Sequence, residues 1–241
     1  MGDPRIAQHR AAWQAKPALR AVYEDTYRRI GAALVPGPVL EIGGGAGHLK
    51  RTLADVVATD VVAEPGLDAV ADAHALPFAA ARFANLVMVD VLHHLAAPRV
   101  FLAEACRVLR PGGRIVLVEP AITPLSRAAF ALFHPEPVDM AADPLAAGRP
   151  PARRDPFAAN QAIPTLLFGR DRARMLAAFP DLRLVAFRRL GLVAYPASGG
   201  YRAWSLLPAA LVPAVLRLED ALMPALGPLM AFRLMAVLER R

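Results

Sequence analysis

The sequence is poor in cysteine, in lysine and in long apolar runs. Cys106 is the one cysteine among 241 residues, which excludes an internal disulfide framework and a cysteine-built metal site, and we expect no metal. No stretch reaches the roughly 18 to 20 uninterrupted apolar residues that a transmembrane helix needs. Charges occur throughout residues 1–20, so we expect no signal peptide and a cytoplasmic location, either free or peripheral to the inner face of a membrane.

Positive charge is concentrated in the second half of the chain. Residues 1–120 hold 13 basic and 12 acidic side chains, whereas residues 121–241 hold 15 and 9, so the net charges are +1 and +6. A basic half suits an anionic ligand, a membrane surface or nucleic acid, but it also suits an ordinary solvated surface in an arginine-biased chain. Hydrophobic residues make up 56%, which predicts a packed globular protein.

Short apolar runs alternate with helical patterns in the first half. We predict helices at 17–34, 47–53 and 98–109 and strands at 39–42, 55–61, 69–71, 84–90 and 114–119. Strands that alternate with helices predict an α/β fold in which a parallel sheet has helices on both faces.

The pattern changes after Pro120. Residues 121–165 contain many prolines and no long periodic segment, and they are predicted to form an insertion or lid. A helix at 170–179 and strands at 182–195 and 231–238 then resume the fold. The apolar, proline-punctuated segment 196–230 is predicted to form a second cap, so the chain divides into an N-terminal helical segment (1–37), a core (38–120) and two caps within a single domain.

A glycine cluster follows the strand at 39–42. Glu41, Gly43, Gly45 and Gly47 form the pattern E-x-G-x-G-x-G, in which glycines allow a tight turn and let a ligand approach the backbone. A dinucleotide fingerprint G-x-G-x-x-G that starts at Gly43 would need a sixth glycine at His48, so a nicotinamide-dependent oxidoreductase is disfavoured.

With these motifs the sequence resembles the class I S-adenosylmethionine-dependent methyltransferases of the small-molecule type (methyltransferase type 11-like). Other landmarks follow in the expected order: Asp60 at the end of the second strand, the loop at Asp72 and Ala73, and the blocks 89–95 and 107–114. Asn85 departs from the family, where many members have aspartate. The resemblance is strong over residues 39–120 and weak elsewhere.

The resemblance implies a Rossmann-like, seven-stranded, mostly parallel sheet with an antiparallel last strand and S-adenosylmethionine as cofactor. It also implies a set of cofactor-binding residues: Glu41, Gly43, Gly45, Gly47, Asp60, Asp72, Ala73 and Asp90. Asp60 would accept hydrogen bonds from the ribose hydroxyls, Asp72 from the adenine amino group, and Glu41 would lie near the methionine end. His93 and His94 follow the fourth strand and are the candidate catalytic residues, because a histidine titrates near neutrality and suits a general base.

Several alternatives stay open from the sequence. The chain is interpreted as an enzyme, with a non-catalytic cofactor-binding partner subunit or an RNA methyltransferase as the alternatives. A nucleic-acid substrate is disfavoured because residues 90–93 lack the N/D-P-P-aromatic motif of base-modifying enzymes. Residues 203–230 read as two apolar helices in a hairpin with charges at its tip. That hairpin predicts an apolar or amphipathic acceptor (a lipid, a lipid-linked sugar or a hydrophobic secondary metabolite), a membrane contact, or a subunit interface such as that of a homodimer.

Overall fold

The structure is a computed structural model, and it describes residues 3–148, 150–151 and 155–241. Residues 149 and 152–154 of the predicted first insertion lie outside the described residues. The strands are β1 (Val39–Ile42), β2 (Val56–Asp60), β3 (Ala69–Val70), β4 (Phe83–Val89), β5 (Leu109–Pro120), β6 (Leu182–Leu190) and β7 (Arg233–Arg240). The helices are α1 (Pro4–Ala15), α2 (Pro17–Ala33), α3 (Pro98–Val108), α4 (Pro124–Phe133), α5 (Ile163–Phe168), α6 (Arg172–Ala178), α7 (Ala194–Ala197) and α8 (Val212–Met230).

All these strands join one seven-stranded sheet in the order β3-β2-β1-β4-β5-β7-β6. β1 to β5 run parallel to one another, and β7 pairs antiparallel with both β5 and β6. The Rossmann-like, mostly parallel sheet and the antiparallel last strand are thereby confirmed. The carboxyl ends of the parallel strands lie at one edge, where open α/β sheets bind their ligands.

Helices cover both faces of the sheet, which explains why the central strands are apolar on both sides. All four residues of β1 and the residues of β4 from Phe83 to Met88 are buried. One face packs against α3, α5 and α6, with Phe101, Leu167 and Met175 in the core. The other packs against the N-terminal helices, with Leu19 and Ile30 in the core.

The predicted helix at 47–53 is wrong in its form, because the chain makes one 3₁₀ turn at Leu49–Arg51. The predicted strand 182–195 ends at Leu190, because Gly191 takes a φ of 67° and turns the chain into α7. The first insertion, for which no long periodic segment was predicted, contains α4 and the start of α5.

The hairpin predicted for 203–230 is also wrong, since residues 212–230 form the single helix α8. Neighbours engage the charges that were expected at a hairpin tip: Glu219 is buried and accepts from the amides of Val193 and Ala194, and Asp220 pairs with Arg29 at 2.7 Å. Among the described residues, no helix is long and apolar enough to cross a membrane.

Candidate functional site

The loop after β1 is built on left-handed backbone. Gly43, Gly45 and Gly47 have φ values of 73°, 49° and 70°, which side chains rarely adopt. A Cβ at Gly43 would lie 2.2 Å from Cγ2 of Val91, so this position admits glycine only. A Cβ at Gly45 would meet nothing within 4 Å, so the backbone there faces open space.

Asp60 fixes the shape of this loop from the end of β2. Its Oδ2 accepts from the amide of Gly45 at 3.0 Å, and its Oδ1 accepts from the amide of Val62 at 3.0 Å. Each carboxylate oxygen has a second lone pair, so Asp60 retains the capacity to accept from a ligand.

A cavity of about 200 Å³ opens over the loop at the carboxyl ends of the strands. Seven of the predicted cofactor-binding residues line it: Glu41, Gly43, Gly45, Asp60, Asp72, Ala73 and Asp90. Gly47 does not line it; its amide donates to the carbonyl of Gly44 at 2.7 Å and closes the turn. The lining also includes Gly44, Ala46 and His48, which the spacing argument passed over.

Two side chains of this cavity present polar atoms without a hydrogen-bond partner. They are Oε2 of Glu41 and both ring nitrogens of His48. Burial and the nearby charge of Asp60 raise the pKa of Glu41 to about 7. Burial and the charge of Arg51 lower the pKa of His48 to about 4, and its neutral ring stacks on Trp13 at 3.8 Å. Buried atoms of this kind are costly unless a ligand supplies the missing partners.

The raised pKa of Glu41 predicts a pH-dependent stability. An unfolded carboxyl ionises near pH 4.5, whereas folded Glu41 keeps its proton to about pH 7. The folded state thus loses stability as pH rises from 4.5 to 7, by about 3 kcal/mol for this group. We expect urea unfolding at pH 5 and pH 8 to show a smaller loss in Glu41→Gln than in the wild type. The exposed substitution Glu24→Gln serves as the control, and an equal loss in Glu41→Gln would contradict the assignment.

Asp90 bridges α2, β4 and β7. Its own φ of 59° is left-handed, and its oxygens accept from the hydroxyl of Tyr23 at 2.9 Å and from Nη2 of Arg233 at 2.6 Å. The guanidinium of Arg233 is buried and lies 4.6 Å from the centre of the Tyr195 ring. Asp90 is therefore held in place from two sides while it lines the cavity.

A second, larger cavity of about 590 Å³ adjoins the first. Five residues line both cavities: His9, Tyr23, Asp90, His94 and Tyr201. Aromatic side chains dominate the wall of the larger cavity: Phe130, Phe133, Tyr195, Trp204 and Phe232. Its polar lining includes His93, His134, Glu136 and Gln161.

His93 is the best-oriented titratable group of the larger cavity. Its Nδ1 lies 2.7 Å from Oε2 of the buried Glu119, whose other oxygen accepts from the amides of Val91 and Leu92. Nε2 of His93 points to Glu136, 3.8 Å away. Burial works against protonation of His93, but the hydrogen bond and charge of Glu119 outweigh it and raise the pKa.

His94 is held less firmly. Its Nδ1 lies 3.4 Å from the carbonyl of Ala158, and burial together with the neighbouring His93 lowers its pKa. The structure brings both predicted histidines to the larger cavity, and His94 also lines the smaller cavity over the glycine loop.

His93, His94 and Glu136 also form a group that can hold a cation. Each offers one ligand atom, and these atoms lie within 4.8 Å of one another. Our expectation of no metal considered cysteine ligands and did not anticipate this group, because Glu136 lies 42 residues beyond His94 in the sequence.

Sequence reasoning missed Glu119, Glu136 and Arg233. Glu119 was detectable as an acid in the otherwise apolar run 115–120, which is unusual in a buried strand. Arg233 was detectable in the same way, as a charged residue in the mostly apolar last strand. Glu136 gave none, since it lies in the proline-rich insertion whose path no local pattern predicts.

Comparison with known proteins places this site in a family. Residues 40–117, which carry the glycine loop, Asp60, Asp72 and Asp90, match the family model described as a methyltransferase domain. The chain contains a methyltransferase domain. A demethylmenaquinone methyltransferase from Renibacterium salmoninarum is 36% identical over 101 residues, which cover 35% of this chain and 42% of that relative. The match thus spans less than half of the relative's length.

Solved structures agree on the fold of the methyltransferase domain. A SAM-dependent methyltransferase of Thermotoga maritima superposes with a TM-score of 0.58 at 14% identity and covers 98% of this chain and 96% of its own. One from Archaeoglobus fulgidus gives a TM-score of 0.55 at 14% identity, with coverage of 92% and 94%. At 14% sequence identity the similarity to these two structures shows the fold alone.

S-adenosylmethionine, the methyl donor of this family, fits the smaller cavity of the methyltransferase domain. Glu41, Asp60 and Asp72 bring three carboxyl groups to the lining, which suits a ligand with cationic groups, ribose hydroxyls and an adenine amino group. Gly45 leaves space for the ligand, and the buried polar atoms of Glu41 and His48 that lack a hydrogen-bond partner are available to bind it.

Proposed function

We propose that this protein transfers the methyl group of S-adenosylmethionine to an amphipathic small-molecule acceptor. The cofactor binds in the smaller cavity and the acceptor in the larger one. Demethylmenaquinone, for which the relative from Renibacterium salmoninarum is named, is a small molecule as well.

The joined cavities carry this proposal. Two cavities that share Tyr23, Asp90 and Tyr201 in their walls allow donor and acceptor to meet without passing through solvent. Methyl transfer from a sulfonium needs the acceptor atom in line with the methyl carbon and sulfur, so the protein contributes mainly by positioning.

The lining of the larger cavity supports an acceptor with two chemically different ends. His134, Glu136 and Gln161 form a polar group, in which Gln161 donates to Glu136 and the amide of Glu136 lies 3.4 Å from Nδ1 of His134. Phe130 and Phe232 meet edge to face at 6.0 Å and offer apolar contact. A polar end would bind near His93 and an apolar end along the aromatic wall.

His93 acts as the proton acceptor for a hydroxyl on the polar end. Glu119 holds the ring through Nδ1, so in the neutral ring Nε2 would face the cavity as the proton acceptor. The raised pKa of His93 makes this neutral ring a stronger base that prevails at higher pH. S-adenosylmethionine, held by Glu41, Asp60 and Asp72, would supply an activated methyl group to the acceptor oxygen, and its sulfur would take up the electron pair of the bond to that methyl group. The hydroxyl proton passes to Nε2 of His93, and Glu119 stabilises the resulting imidazolium as a positioning residue.

Calorimetry with S-adenosylmethionine and with its demethylated product tests whether the protein binds the methyl donor. Labelled cofactor is then incubated with lipid extract, with small phenols and sugars, and with RNA. We expect binding of the cofactor and label in the lipid fraction. No binding would reject the proposal, binding without transfer would favour a partner subunit, and label in RNA alone would favour an RNA methyltransferase.

His93→Ala is expected to lower kcat by about 100-fold or more while the Kd for the cofactor changes little, because general-base catalysis contributes on that order. We expect a smaller loss in His94→Ala, since its ring is held by one long contact. The loss of kcat in Glu119→Gln should lie between the losses in these two variants, and the pH profile of kcat should shift. Unchanged turnover in both histidine variants would remove the base from the mechanism.

Removal of metal distinguishes two roles for His93, namely a general base and a ligand of a cation held together with His94 and Glu136. We expect the wild-type turnover to survive dialysis against EDTA, because a histidine base needs no cation. Loss of turnover in EDTA and recovery with one divalent cation would instead assign these three residues as its ligands.

A further inference from the structure

The outer surface formed by α4, α8 and the loop 202–211 is unusually apolar. The helices pack against each other, and Arg202 donates to the carbonyl of Phe133, which ties the loop to the end of α4. Exposed large apolar side chains lie on all three segments: Leu125, Leu132, Phe133, Trp204, Leu206, Leu211, Leu218, Leu222 and Leu229. We name this set the apolar rim. Leu132 and Leu206 are 75% and 78% exposed, far more than core packing would allow.

The apolar side chains form stripes along both helices. Leu218, Leu222 and Leu229 are spaced by four and seven residues, which places them on one side of α8. Leu125 and Leu132 are likewise seven residues apart on α4. A patch of this kind marks an interaction site with another molecule or with a membrane.

The charges around the apolar rim indicate which partner it fits. The exposed ionisable side chains of the three segments are Arg127, Arg202, Arg217 and Asp220. Asp220 is paired with Arg29, so the three segments present three exposed arginines and no unpaired acid of their own among the described residues. The exposed Glu24 of α2 lines the groove between α2 and α8 together with Arg217. Basic side chains bordering exposed leucines and a tryptophan are typical of surfaces that lie at the interface of an anionic bilayer.

The apolar rim is continuous with the larger cavity. Phe133 and Trp204 line that cavity and are also 67% and 44% exposed. A molecule dissolved in a lipid surface could therefore enter the cavity past apolar side chains, without crossing water. We infer that the apolar rim docks on anionic membranes and opens the acceptor cavity toward the lipid. The inference goes beyond methyl transfer, since docking needs neither cofactor nor acceptor.

Flotation with vesicles tests the docking. We expect the full chain to float with vesicles of phosphatidylcholine and phosphatidylglycerol and to float poorly with phosphatidylcholine alone. The double substitution Leu132→Ser and Leu206→Ser should reduce the bound fraction about tenfold or more, because each leucine loses its apolar contact with the lipid. Val70→Ser with Val185→Ser is the matched control, since both valines are exposed apolar residues outside the rim.

A second comparison of two double variants tests how far the arginines contribute to docking. Arg127→Gln with Arg217→Gln should remove the preference for anionic vesicles, whereas the exposed pair Arg99→Gln and Arg172→Gln should leave it intact. Binding reduced equally by test and control pairs would overturn the inference. So would the absence of binding to anionic vesicles, or a dimer in solution that Leu132→Ser and Leu206→Ser dissociates. None of these results would affect cofactor binding or transfer to a soluble acceptor, which test the proposed function separately.

Discussion

Gly45→Val is expected to weaken S-adenosylmethionine binding by about 100-fold or more while the protein stays folded. A Cβ at Gly45 meets no protein atom within 4 Å, so the added side chain would project into the cavity and occupy space that the cofactor needs. The left-handed φ of 49° adds strain of roughly 1–2 kcal/mol, which a stable domain tolerates. Calorimetry with the cofactor and a urea unfolding curve measure the two effects separately.

Gly112→Val is the matched control for this strain. Gly112 has a φ of 77°, a Cβ there would also meet nothing within 4 Å, and it lies in β5 outside both cavities. The control should lose a similar amount of stability and keep its affinity for the cofactor. Equal affinity in the two variants would show that the space beside Gly45 is not the cofactor site.

Arg233→Met is expected to lower the free energy of unfolding by about 1–3 kcal/mol, because Asp90 loses its charged partner but keeps partial contact with solvent. The substitution removes the cation that pairs with Asp90 at 2.6 Å and that lies against the rings of Tyr23 and Tyr195. Asp90 would then keep only the hydroxyl of Tyr23. Because Asp90 lines both cavities, we expect cofactor affinity to fall as well.

Adding Asp90→Asn to Arg233→Met should recover part of the lost stability, because the charge disappears and asparagine tolerates the left-handed φ of 59°. Arg188→Met on the neighbouring strand β6 is the control, since Arg188 is exposed, and we expect its stability to change by less than about 0.5 kcal/mol. A double variant no more stable than Arg233→Met would contradict the charge argument.

Local patterns predicted the cofactor half of the molecule well. The strand at 39–42, the acid at Asp60 and the glycine loop were readable because backbone shape there depends on nearby residues. The helix at 47–53 was wrong because the turn closed by Gly47 leaves room for one 3₁₀ turn only. Glycine spacing also could not tell that Gly47 shapes the loop without lining the cavity.

The surroundings of the larger cavity were less predictable because their contacts are distant in sequence. Glu136 reaches His93 from an insertion 43 residues away, and Arg233 reaches Asp90 across 143 residues. For α8, prolines and a charged patch indicated a break between two helices. The structure keeps one helix because Glu219 and Asp220 find partners on α7 and α2, which no local rule reveals.

The position of β7 has a consequence for how the chain is made. β7 lies between β5 and β6, although it follows both of them in the chain. Until residues 233–240 have emerged, β6 has no neighbour in the sheet and β5 has an open edge. The nascent chain therefore carries an unpaired strand edge until residues 233–240 have been made, and during that interval pairing with another chain competes with folding.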